Sequence, residues 1–170
     1  EYFRNLLTSK YQENRTFLAS KENISVTELF QQLAELYALL HDGHTRVEFS
    51  SDSLKEIDDY TPFFAYGHPV AVNGIDTEQL YQLYKTRCSY EVDTFIKKYF
   101  FSSYIFREDI LSLIGIDATT SLVYTYKTKD GYEDFSHNFV PHENAFYPSK
   151  DDIKTFLEGK NYSQEEIQAR

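Results

Sequence analysis

Behind Ser25, apolar residues fall at Leu29, Phe30, Leu33, Leu36, Tyr37 and Leu40, steps of three and four that only an α-helix gathers onto one face. Ser25 and Glu28 supply the Ser-x-x-Glu box that satisfies the first free N–H groups of such a helix. The pattern predicts a stop at Asp42-Gly43, where glycine accepts the left-handed conformation that ends many helices. Thr45-Arg46-Val47-Glu48-Phe49 then alternates like a strand. A chain that runs helix, tight turn, strand needs sheet partners from elsewhere in the sequence.

Before this helix, Phe3, Leu6, Leu7, Tyr11, Phe17 and Leu18 predict an amphipathic helix over Tyr2 to Leu18, followed by a short turn. After it, the polar run from Ser50 to Asp59 reads as a loop, and Pro62-Phe63-Phe64 and Pro69-Val70-Ala71-Val72 read as short strands. Asn73-Gly74 makes a turn, and Ile75 ahead of Asp76 or Thr77 gives a staple and N-cap for a helix carrying Leu80, Tyr81, Leu83 and Tyr84. A further helix is predicted from Val92 to Leu113, interrupted near Ser102-Ser103 and ended by Gly115. Ser121 to Tyr126 and Tyr132 to Val140 form a hairpin about Lys129-Asp130-Gly131. A short helix over Asp151 to Leu157 precedes a polar stretch expected to fray or to lead into a further domain. The expected fold is α+β. Residues 1–50 make a helical subdomain, 60–147 a small α/β subdomain and 148–170 a helix and tail.

Charge narrows the partners. A formal net charge of -10 repels phosphate backbones, so nucleic acid is not expected as a partner. No apolar run approaches the roughly 20 residues that a membrane helix needs, so no transmembrane segment is expected. Cys88 is the single cysteine, excluding an internal disulfide, and Thr-Arg-Cys-Ser-Tyr carries no catalytic signature. With 15 Tyr and 14 Phe, core and surface are built largely from rings.

The run Leu36-Tyr37-Ala38-Leu39-Leu40-His41-Asp42-Gly43-His44-Thr45-Arg46-Val47 resembles the leucine-rich helix, Asp-Gly-His-Thr and strand signature of tail-specific, or C-terminal processing, serine peptidases and their tricorn-core relatives. Pro62-Phe63-Phe64, Val70-Ala71-Val72-Asn73-Gly74-Ile75, the helix after it and the hairpin at Asp130-Gly131 resemble that family's order of elements. Only Ala65 to Pro69 separate the first two, a shorter interval than family members usually show. The resemblance implies a PDZ-like character for 60–147, a polypeptide as partner, and residence outside the cell or in the cell envelope. It also implies that the nucleophilic serine sits in a later α/β domain, so that this part alone is inactive.

His44 is the candidate site residue. In the tricorn-like branch the histidine at this junction is the general base for that serine, and imidazole titrates in the useful range. Gly43 stands where that branch usually has a small hydroxyl residue, and a structural His44 bonded to the turn remains the alternative reading. No cofactor and no metal are expected, since His41, Asp42 and His44 lack a second ligand pair at zinc spacing. Asp58-Asp59 and Asp151-Asp152 read as solvated charges, and His68, His137 and His142 as solvated or backbone-bonded. Asn14, Asn23 and Asn161 begin Asn-x-Ser/Thr triplets. The function expected is the positioning of polypeptide substrate for a serine peptidase; the alternative is a peptide- or ligand-binding scaffold without peptidase activity.

Overall fold

In a computed structural model, residues 2–42, 54–90 and 92–169 are described. The elements in chain order are helices α1 (Tyr2–Ala19) and α2 (Val26–Ala38), strand β1 (Lys55–Ile57), helix α3 (Thr61–Tyr66) and strands β2 (Ala71–Val72) and β3 (Ile75–Asp76). Helices α4 (Thr77–Lys85), α5 (Asp93–Ser102) and α6 (Glu108–Leu113) follow, then strands β4 (Leu122–Thr128), β5 (Gly131–His137) and β6 (Phe139–Pro141) and helices α7 (Lys150–Gly159) and α8 (Gln164–Gln168). The fold is α+β, as expected. The chain divides into two units that do not follow chain order. The first takes the described residues of Glu1–Asp52, Gln79–Ile105 and Asp109–Asp117, and the second those of Ser53–Glu78, Phe106–Glu108 and Ala118–Arg170.

The first unit is helical. Ser25 caps α2 as its spacing predicts: the hydroxyl accepts from Glu28 N–H at 3.1 Å and the Glu28 carboxylate accepts from Ser25 N–H at 3.0 Å. The helix ends sooner than expected, because His41 itself adopts a left-handed φ of 49°, ahead of the glycine. The predicted strand Thr45–Phe49 lies outside the described residues. The expected break in the long helix is present: α5 closes at Ser103, whose N–H donates to the Tyr99 carbonyl, and α6 starts again at Glu108.

Polar contacts tie the helices of this unit together. Glu35 on α2 receives Lys10 Nζ at 2.7 Å and Arg87 Nε at 3.2 Å, while Arg87 Nη1 donates to the Leu113 carbonyl at 2.8 Å. Gln31 Nε2 reaches the Ser112 carbonyl at 2.9 Å. Burial works to raise the Glu35 carboxyl, but Lys10 and Arg87 outweigh it and hold the group below its ordinary value of 4.5. The stabilisation this supplies is therefore complete above that value and lost as pH falls through the lower folded-state one.

In the second unit β3, β2, β4 and β5 form one antiparallel sheet in that order, and β1 and β6 form a separate two-stranded ladder. Asn73 and Gly74 take φ of 48° and 75° between β2 and β3, the paired left-handed residues that a two-residue hairpin requires. On one face of β4, Leu122, Tyr124 and Tyr126 are at most 1% exposed. Three expectations fail here. The polar run before Asp59 holds β1, because Ile57 is fully buried and Lys55–Ile57 pair with Phe139–Pro141. Pro62-Phe63-Phe64 is helix rather than strand: proline near a helix start costs no hydrogen bond, and Asp59 Oδ1 accepts from Thr61 N–H at 2.7 Å to hold that start. The tail does not fray, since Leu157 and Tyr162 pack with Ala65, and the Lys129 N–H donates to the Tyr162 hydroxyl at 3.0 Å.

Replacing Glu35 by alanine leaves Lys10 and Arg87 without their shared acceptor, and hydrogen bonds to charged groups contribute about 1.5–3 kcal/mol. Urea unfolding monitored in the first unit is expected to register a loss of about 2 kcal/mol near neutral pH and less below pH ~4.

Candidate functional site

The residues singled out from the sequence are only partly gathered by the fold. His44 lies outside the described residues, as do Gly43 and Thr45, so its proposed roles carry no geometry. The segment leading to it is anchored: the Asp42 N–H donates to Ser89 Oγ at 2.9 Å, and the His41 ring meets Tyr90 edge-on at 6.2 Å. Cys88 is half-buried with its Sγ 3.6 Å from the Ser89 carbonyl. Asp152 caps α7 with Ser149. Asn14 is buried, and its Nδ2 donates to the Gln32 carbonyl at 2.6 Å. Among the described residues no group of three or more His, Cys, Asp or Glu is placed to hold a metal ion, and no helix is long and apolar enough to cross a membrane.

The sequence reading missed a cluster in the second unit. Segment 54–60 runs beside 137–147, joined by the β1·β6 ladder and extended by Asp58 N–H to the Asn138 carbonyl at 2.9 Å and Phe146 N–H to the Asp58 carbonyl at 2.8 Å. Glu56 and Asp58 are two apart and so project to one side of this strand. The Glu56 carboxylate, 12% exposed, takes His142 Nδ1 at 2.9 Å and the Tyr147 hydroxyl through the same oxygen, Oε1. Tyr147 stacks on Tyr60 with ring centres 4.6 Å apart. Burial, followed by the Glu56 hydrogen bond, pushes the Tyr147 phenol up to about 12, and burial raises Tyr60 as well. Asp58 takes His137 Nδ1 at 3.1 Å and Asn138 Nδ2 at 3.2 Å. Asp58 and Asp59, read from the sequence as solvated charges, are instead bonded to His137 and Asn138 and to Thr61, and His137, 2% exposed, is not a solvated histidine.

A second feature is the outer edge of β5. The Asn73 and Val70 N–H groups donate to the Val123 and Thr125 carbonyls, so these two residues of β4 turn their main chains toward β2. Leu122, Tyr124 and Tyr126 therefore turn theirs toward β5, where His137, Phe135 and Glu133 lie opposite. It follows that the N–H and C=O groups of Tyr132, Asp134 and Ser136 face away from β4. Among the described residues no strand pairs with that edge. Helix α7 lies against the same end of the sheet, with Phe156 ringed against Phe135 at 6.0 Å and Lys160 paired with Glu133.

The first unit offers a different surface, an apolar groove of about 360 Å³ lined by Leu7, Thr8, Tyr11, Leu36, Tyr37 and Leu40.

Glu56→Gln leaves the burial of the Tyr147 phenol in place but weakens its hydrogen bond to residue 56, removes the nearby charge and weakens the bond to His142. The phenol titration of Tyr147, followed by ring NMR signals, is expected to move down from about 12 while burial keeps it above the ordinary value of about 10. Stability falls by about 1–3 kcal/mol.

No family model matches the chain, and neither the curated proteins nor the solved structures searched include a significant match to it.

Proposed function

We propose that this chain is a noncatalytic, substrate-positioning part of a tail-specific-type serine peptidase, in which an extended polypeptide pairs with the outer edge of β5 and is held for a serine carried elsewhere in the parent protein. The observation that carries this reading is the register of β4 and β5, which leaves the main-chain groups of Tyr132, Asp134 and Ser136 facing outward. Strand addition uses the peptide's main chain for affinity and so tolerates varied sequence, as a processing peptidase requires. Alternate side chains of the added strand would lie on the side of Phe135 and Phe156, an edge beside a helix that suits the PDZ-like reading. The Leu36–Val47 signature supplies the peptidase part of the reading, with His44 as the base that takes the serine's proton.

The groove between α1 and α2 supports the alternative, a ligand-binding scaffold without peptidase activity, because its walls are mostly apolar, with Thr8 and the Tyr11 and Tyr37 hydroxyls as the polar groups among the described residues.

Two experiments separate these readings. Asp134→Pro deletes an outward N–H without removing a β4·β5 ladder bond, a substitution that an edge strand tolerates. Titrating the labelled chain with an unstructured polypeptide is expected to show affinity at least about tenfold weaker in the variant with the fold retained; equal affinity rejects the edge. In the full-length parent, His44→Ala is expected to cut peptide hydrolysis by about a hundredfold or more while leaving the protein folded. Unchanged hydrolysis makes His44 structural, and a wild type without hydrolysis favours the scaffold.

A further inference from the structure

His137 ends β5 and stands one residue ahead of β6, at the join between the larger sheet and the small ladder. Its ring is closed in from several elements. Tyr124 of β4 meets it edge-on at 5.4 Å, Asp58 bonds its Nδ1, and Asp59 lies within electrostatic range, with its own Oδ1 committed to Thr61. Tyr124 is kept neutral by its burial. The other ring nitrogen, Nε2, is buried and has no hydrogen-bond partner among the described residues.

A neutral ring is accommodated by this arrangement, with the Nδ1–H donated to Asp58 and Nε2 bare. A second proton would place a donor and a charge where no acceptor waits. Burial lowers the basicity of His137, and the attraction of Asp58 and Asp59 does not make up the difference. The ring can gain a hydrated proton only by leaving its site. The least costly way out is at the weak end: β1 and β6 pair over three residues each, whereas β4 and β5 pair over seven.

We propose that His137 is an acid-sensitive latch: proton uptake at Nε2 is coupled to the parting of segment 54–60 from segment 137–147, while the β4·β5 hairpin stays paired. The closed latch is the neutral form, so it is stable above the ordinary histidine value of about 6.5 and yields as pH falls. At the far end of the ladder His142 meets Glu56 with its ring 69% exposed, so it is not enclosed as His137 is.

The test is an NMR titration of the whole chain from about pH 7.5 to 4.5, following the His137 ring together with backbone amides. The amides of Asp58 and His142, which donate to the Asn138 and Leu54 carbonyls at 2.9 and 3.1 Å, are expected to lose their closed-state shifts at one midpoint shared with the His137 ring. Amides of β4 and β5 away from their ends keep theirs. Asp58→Asn decides the coupling by its sign. If charging opens the latch, losing the carboxylate destabilises the closed form and the midpoint rises. If the ring merely titrates in place, losing the carboxylate lowers it. His137→Phe is expected to abolish the step. Loss of β4·β5 at the same midpoint, survival of the step in His137→Phe, or a lowered midpoint in Asp58→Asn would each overturn the proposal. Should the phenylalanine variant not fold, the sign of the asparagine shift decides alone.

Discussion

A carboxylate with its side chain 12% exposed must find donors or leave the interior, and Glu56 finds them far along the chain. His142 and Tyr147 are 86 and 91 residues away. Meeting that requirement draws 137–147 alongside 54–60, gives Ile57 a partner strand and stacks Tyr147 on Tyr60. Tyr60 in turn touches Phe106, which faces Tyr124 at the centre of the sheet. The rings of the second unit thus continue inward from one buried charge.

What could be read from the sequence was what is decided locally. The Ser25 box, the Asn73-Gly74 turn, the hairpin at Gly131 and the break after Ser102 each depend on residues within a few positions of one another. Strand β1 was hidden because Lys55 and Glu56 look like loop residues until Pro141 and Val140 lie opposite them. Helix α3 was hidden because its six residues are too few to display a period. His137 and Asp58 gave no signal: their meaning is the contact between them, across 79 residues. The run 36–47 resembles a peptidase signature as a string of residues, yet its central histidine falls outside the described part, so the resemblance and the geometry do not meet at one site.

The edge of β5 and the latch at its end share a physical origin. Antiparallel pairing commits alternate main-chain groups of β5 to β4 and leaves the others outward, while the same alternation sends Phe135 and His137 to the face that carries the buried rings. A single register therefore fixes both which main-chain groups of β5 face outward and where a titratable ring is enclosed. The Tyr126 hydroxyl, buried on that face with no described partner, has its ionisation opposed by its surroundings and behaves as part of the apolar layer.

The tie between Lys129 and the last helices has a consequence for how this unit comes into being. Lys129 N–H meets the Tyr162 hydroxyl, its ammonium lies 4.4 Å from the centre of that ring, and α3 packs on the cluster that Leu157 and Tyr162 complete. During synthesis, α3 leaves the ribosome roughly ninety residues before the segment that covers it, so its apolar side must wait uncovered until α7 and Tyr162 have followed. The second unit therefore matures only once α7 and Tyr162 are made, whereas α1 and α2 are near enough in sequence to pair without them.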